Sequence, residues 1–210
     1  MSLPVTKLVT PGDLAGKSNG RLPDQLLITP GYALRPKARM HRRAAAAFAA
    51  MDAEVTRRFN EVLTAVSTND AYRPYSVQEA CFGSRYTTTP LAGCKTKTWN
   101  GRTYWQKPNT AMAGVPGTSN HGWGLARDTA IARDGQVVGI LANRAMFDWM
   151  LAHAADYGIS WETQSEPWHL RYNTGDHPPP TKRPNTAPLQ RIQQARRYRH
   201  GHSLPLRLST

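Results

Sequence analysis

Cysteine is nearly absent: Cys81 and Cys94 are the only two in 210 residues. Two thiols cannot build a disulfide scaffold, and their spacing is not that of a zinc ribbon. The simplest reading is a pair of buried thiols. A single loop-closing disulfide stays open for a protein that works outside the cell. Long apolar runs are missing as well; none approaches the roughly 20 residues that a membrane span needs. The region after Met1 lacks the basic start and apolar stretch of a secretory signal, so the expectation is synthesis in the cytoplasm and any exit by another route. Acid is scarce too, 14 Asp plus Glu against 27 Lys plus Arg, for a net charge of +13. Seven of those bases and one of the acids lie from Gly175 onward, which leaves +7 on residues 1–174. Such a surface favours polyanions, whether nucleic acid, anionic lipid or an acidic cell wall.

What is present is enough for one sizeable domain, since 40% of the chain is hydrophobic. Residues 1–35, rich in Pro, Gly and polar side chains, read as an arm lying on the domain, with at most a short strand or turn over 22–28. The main folded domain is expected over 36–175 and a basic tail over 176–210, in which 187–199 could form a short helix. Apolar residues at Met40, Ala44, Phe48, Met51, Val55, Phe59, Val62 and Val66 recur every three or four positions. That spacing predicts one helical face, with Pro36 in the first turn. Ser76-Val77-Gln78-Glu79 reads as a capping box that starts a short helix through about Phe82. Residues 83–118, dense in Gly, Thr, Pro and Lys, read as a long ordered loop or hairpin. A strand over 124–131, the Asp134-Gly135 turn and a strand over 136–141 make a hairpin. Asn143 caps a second helix that stops at Gly158. Short strands over 159–161 and 170–172 flank a turn.

Two segments some forty residues apart carry the chemistry: Ser119-Asn120-His121-Gly122-Trp123-Gly124-Leu125-Ala126-Arg127-Asp128 and Glu166-Pro167-Trp168-His169. Together they offer two histidines, an aspartate and a glutamate. That set suits a catalytic zinc with three ligands, an open fourth position for water and a carboxylate to move the water's proton. In one straight strand, His121 and Asp128 would face opposite sides, because the side-chain period is two. They can share an ion only if the chain bends, and Gly122 and Gly124 give that freedom. Arg73 is a plausible cation for a substrate carboxylate or a developing oxyanion, and Ser119 could hydrogen-bond substrate. Arg85 is the rival to Arg73. Trp168 and Trp123 read first as core aromatics, with Trp168 also a candidate substrate platform. His41, His153, His177, His200 and His202 have no such context and read as surface or structural residues.

These motifs resemble the zinc D-alanyl-D-alanine carboxypeptidase family, which includes the vancomycin-resistance D,D-peptidases and many phage endolysins. Ser119 to Asp128 matches its S-x-H-x-x-G-x-A-x-D pattern and Glu166 to His169 its E-P-W-H segment. Tyr72-Arg73-Pro74-Tyr75 with Gln78 resembles its Y-R-x-x-x-x-Q segment. The likeness covers about Arg21 to Tyr172, in the family's order. It implies an α+β fold of the hedgehog/D,D-peptidase kind, in which a small antiparallel sheet packed with helices holds the zinc site. It also implies His121, Asp128 and His169 as ligands of one Zn2+, Glu166 as catalytic base, Arg73 as the polarising or carboxylate-binding arginine, and Ser119, Gln78 and Trp168 as substrate contacts. Arg127 departs from the pattern, which has an apolar residue before the aspartate. It points away from Asp128, and an unpaired buried arginine is costly, so solvent or an acidic partner is expected.

The resemblance implies a monomeric peptidase acting on peptidoglycan stem peptides, either a carboxypeptidase removing a terminal D-alanine or an endopeptidase cutting within the stem. The basic charge and the missing signal segment point to a lysin made in the bacterial cytoplasm, its tail contacting the anionic wall or membrane. The contrasting class is a non-catalytic zinc-holding binder of wall or nucleic acid. Glu166 argues against that class, and no nucleic-acid-binding motif is present.

Overall fold

The computed structural model describes residues 2–177; the tail beyond, with the helix expected over 187–199, lies outside the described residues. Two short strands, β1 (Leu27–Ile28) and β2 (Met40–His41), pair antiparallel and lead into helix α1 (Arg42–Phe59). The sequence of α1 is rich in Ala and Arg, both good helix formers. Its buried face carries Ala44, Phe48, Met51 and Val55, and each large apolar side chain so buried contributes about 1.5–3 kcal/mol.

The helix is shorter than its apolar periodicity predicts. Pro36 does not open it; the buried His41 imidazole caps it, accepting from the Arg43 amide at 3.4 Å. At the other end Asn60 turns left-handed, φ 53°, and donates its N–H to the Thr56 carbonyl, an αL stop. Residues beyond it become strand β3 (Leu63–Ala65), and Val62 and Val66 stay 40% and 39% exposed instead of joining the buried face.

Helix α2 (Tyr75–Arg85) starts one residue before the expected capping box. Its N-cap is Pro74, with no side-chain cap, and it runs on to Arg85. There follows a three-stranded antiparallel arm, β4 (Tyr86–Thr87), β5 (Thr96–Trp99) and β6 (Arg102–Gln106), in the order β4-β6-β5. Phe82 anchors it, stacked on Tyr86 and edge-on to Trp99 and Tyr104. The expected hairpin over 83–118 is therefore formed. Both cysteines are free and half-buried, so neither the disulfide nor the buried-thiol reading holds.

Strand β7 (Ala126–Arg133) is the spine of the main sheet. Its outer half pairs with β8 (Gln136–Gly139) through the Asp134-Gly135 turn, where both residues have positive φ. After a 3-10 turn at Ile140–Ala142, which ends the strand short of Leu141, Asn143 caps α3 (Arg144–His153), accepting from the Met146 amide at 3.0 Å. Strands β9 (Ile159–Trp161) and β10 (His169–Tyr172) complete a five-stranded antiparallel sheet of order β3-β7-β10-β9, with β8 beside β7. One face of this sheet packs on the helices through Leu170, Trp161, Phe147 and Met150, all fully buried. The segment before β1 adds Leu3, Leu14, Leu22 and Leu26 to the same core.

Arg127 projects into that buried face and is itself fully buried. The expected acidic partner is Asp52 of α1: a bidentate ion pair at 2.6 and 2.8 Å, with the guanidinium also lying over Phe48 and Tyr32. Burial would lower the Arg127 pKa, but the Asp52 carboxylate beside it keeps it raised. The polar departure thus clamps α1 to the strand whose next residue is Asp128.

Candidate metal centre

Sheet register places the site. In the β7–β10 ladder His169 lies directly opposite Asp128, and opposite residues of an antiparallel pair share a face. The result is a hydrogen bond of 2.8 Å between His169 Nδ1 and Asp128 Oδ1. On the other side of β10, one step past the Leu170–Trp161 pair, the same logic brings up Glu162. Its Oε2 lies 2.7 Å from His169 Nε2. Asp128, His169 and Glu162 therefore form one polar row across three strands, on the face opposite Arg127.

His121 reaches this row from a 3-10 turn over Asn120–Trp123, whose C-cap Gly124 is left-handed at φ 64°. That bend defeats the strand alternation, and His121 Nε2 comes 3.4 Å from Asp128 Oδ1. A side chain at Gly124 would meet the His41 amide at 2.7 Å, and one at Gly122 would meet Asn19 Oδ1 at 1.9 Å and Gln78 Nε2 at 2.4 Å. Only glycine permits this approach of the turn to the segment at Asn19 and to α2. Ser119 caps the turn, accepting from the His121 amide at 3.3 Å.

One donor atom from each of His121, Asp128 and His169 lies within 4.8 Å of the others. Each imidazole has its second nitrogen anchored away from the group: His121 Nδ1 on the Ala71 carbonyl at 3.1 Å, His169 Nε2 on Glu162. Such anchoring fixes the tautomer that a metal-binding histidine needs, and two imidazoles with a carboxylate suit zinc. The residues present fit the ion. Burial alone would raise the Asp128 pKa, but hydrogen bonds from both histidines hold it well below the ordinary carboxylate range. The hydrogen bond to His169 likewise lowers Glu162 to about 2.

All eight residues singled out in the sequence line one cleft of about 760 Å³. Arg73 sits beside the metal group, 3.9 Å from Asp128, and is held by Asp70 at 2.6 Å. Gln78 lines the cleft, but its amide is engaged within the protein: it donates to Asn19 and to the Arg73 carbonyl and accepts from the Gly117 amide. It braces the arginine segment where a substrate contact is expected. Glu166 lies exposed at the rim, and its carbonyl accepts the His169 amide at 3.0 Å. Trp168 is 43% exposed, a cleft wall more than a core residue. Arg85, the rival arginine, lines the same cleft further along α2. Sequence reasoning missed Glu162. Its signal is a carboxylate just after one short strand while a histidine begins the next, so that hairpin register makes them neighbours.

Two histidines and an aspartate at the floor of an open cleft, with a carboxylate at its rim, form a group that could hold a metal ion. The chain belongs to the D-alanyl-D-alanine carboxypeptidase family, VanY, whose sequence model matches residues 37–176. Two solved structures share the fold. The LD-carboxypeptidase LdcB, described with its basis of peptidoglycan recognition, has a TM-score of 0.51 at 22% identity, over 73% of this chain and 71% of its own. The vancomycin-resistance D,D-dipeptidase VanXYg, in complex with a D-Ala-D-Ala phosphinate analogue, has a TM-score of 0.50 at 18% identity, over 90% of this chain and 66% of its own. No match was found among curated proteins.

Proposed function

We propose that this protein is a zinc peptidase that hydrolyses peptidoglycan stem peptides, first of all a D,D-carboxypeptidase removing the terminal D-alanine. The observation that carries this reading is the His121–Asp128–His169 group at the floor of a cleft whose rim holds Glu166 and whose wall holds Arg73. A zinc ion held by those three side chains supplies Lewis acidity toward the scissile carbonyl and lowers the pKa of a water. Glu166 takes the proton of the attacking water and returns it to the leaving amine, so that the C–N bond breaks to a carboxylate and a free amine. Arg73, fixed by Asp70, donates to the developing oxyanion or to the terminal carboxylate of the substrate. Glu162 acts on the reaction only through His169, by holding that ring in place. An endopeptidase reading is favoured by one observation: the cleft continues along α2 to Arg85, leaving room for more than a terminal dipeptide.

The test is mass spectrometry of stem peptides after incubation with zinc-loaded wild type and with Glu166→Ala. Loss of one alanine from pentapeptide stems, abolished in a Glu166→Ala protein that retains zinc, is the expected result. An internal cut with the same dependence establishes the endopeptidase. Absence of cleavage by zinc-loaded wild type overturns the peptidase reading and favours a non-catalytic binder.

A further inference from the structure

The cleft has two electrostatic ends. At the metal end lie Asp128, Glu162 and Glu166. No Asp or Glu occurs between Glu79 and Asp128, while that stretch carries Arg85, Lys95, Lys97, Arg102 and Lys107 besides the Asp52-paired Arg127. This acid-free stretch includes the three-stranded arm; its loop at 111–114 and the C-terminal end of α2, with Cys81 and Arg85, line the far end of the cleft.

Three of its cations rest on backbone carbonyls. Lys97 donates to the Ala113 carbonyl and Lys107 to the Gly83 and Ser84 carbonyls. Arg85 donates one nitrogen to the Met112 carbonyl at 2.9 Å, and no carboxylate among the described residues pairs with it. A carbonyl leaves the charge of the guanidinium uncompensated, and the planar fork keeps further N–H donors for a carboxylate.

Gln78 marks the metal end of α2, through its bond to the Arg73 carbonyl. Arg85 stands seven residues further on the same cleft-lining helix, about 10 Å at 1.5 Å per residue. An extended peptide covers that span with about three residues. We infer that Arg85, with the acid-free stretch behind it contributing only its positive field, forms an anion subsite that reads a carboxylate of the stem peptide about three residues from the scissile bond. The inference rests on the peptidase reading and deepens it by naming the chemistry of the substrate's far end. In a carboxypeptidase only one residue leaves, so the carboxylate belongs to the acyl side, where a stem peptide carries its glutamate and diamino acid.

The experiment pairs substrate and protein changes. Synthetic pentapeptide stems with free carboxylates are compared with stems amidated at the glutamate or at the diamino-acid carboxylate. Each is offered to wild type, Arg85→Gln and Arg85→Lys. The wild type is expected to prefer one free acid over its amide by about tenfold in kcat/KM, the size of one charge-assisted hydrogen bond. That preference disappears in Arg85→Gln, returns in part in Arg85→Lys, and shrinks with salt. Binding of the same stems to Glu166→Gln is measured by calorimetry in parallel, so the two readings fail separately. Equal affinity for acid and amide, or a preference that survives Arg85→Gln, overturns the subsite. Tight, acid-dependent binding without cleavage by zinc-loaded wild type upholds the subsite and overturns the peptidase.

Discussion

Removing Glu162 tests whether the row across three strands is a metal-positioning device. The carboxylate lies 2.7 Å from His169 Nε2, and its side chain is 36% exposed against 10% for the histidine. A hydrogen bond to a charged group is worth about 1.5–3 kcal/mol, and partial solvation puts this one near the lower end. Glu162→Ala frees the His169 ring to rotate and to change tautomer, so the Nδ1 facing Asp128 is no longer fixed. The expected cost is about ten- to thirtyfold in zinc affinity, at the low end of what such outer partners supply. Glu162→Gln keeps an acceptor but loses the charge and should fall between. Competition with a chromophoric chelator gives the dissociation constants, and circular dichroism checks that the sheet is intact. Zinc affinity of Glu162→Ala within twofold of wild type would refute the reasoning, and Glu162 would then be a salt-bridge residue near Arg171, 3.7 Å away.

Asp52→Ala strands a fully buried arginine and should cost about 3–5 kcal/mol in urea unfolding; a loss under 1 kcal/mol would mean that Arg127 finds water. Gly122→Ala places a methyl 1.9 Å from Asn19 Oδ1, and overpacking of about 1–3 kcal/mol should appear with weakened zinc binding; unchanged zinc affinity would show that the turn yields without moving His121. In the metal-free protein His169 titrates at about 9: burial lowers it, but bonds to Asp128 and Glu162 outweigh burial. Its stabilisation is therefore full below pH 6.5 and lost as pH rises through 9, which urea midpoints from pH 6.5 to 9.5 should follow and Glu162→Gln should flatten. His41 slopes the other way. Burial holds it below 6.5 despite Asp13, so its contribution is lost as pH falls from 6.5 through its folded value, and His41→Asn, which keeps a cap, should be flatter between pH 6.5 and 5.

The grouping of His121, Asp128 and His169 was legible in the sequence because it rests on local signals. His121 and Asp128 are joined by a stretch whose two glycines announce the bend, and Glu166 and His169 by a single tight turn. The hairpin at Asp134-Gly135 and the Asn143 cap were legible for the same reason: a few adjacent residues dictate backbone angles that few others tolerate. The end of α1 was not. Val62 and Val66 continue the helical spacing of Val55 and Phe59, yet Asn60 adopts φ 53° and the chain beyond it finds hydrogen bonds along β7. Periodicity reports which residues are apolar, and here two of them serve a strand edge instead of a helix face.

The same limit explains Arg127 and Glu162, and it shows how they depend on each other. Arg127 needed a partner, but Asp52 lies 75 residues away in sequence and becomes its neighbour only when α1 packs under β7. Glu162 needed the register of β9 on β10, which the buried Leu170–Trp161 pair sets. A slip of one residue would turn every side chain of a strand to the other face, sending Asp128 toward α1 and Arg127 into the cleft. The bidentate Arg127–Asp52 pair opposes that slip, because it is satisfied in one register only. On this view the arginine that breaks the apolar pattern of the strand serves the site from behind: it fixes which face of β7 is buried, and so which face presents Asp128 to His121 and His169.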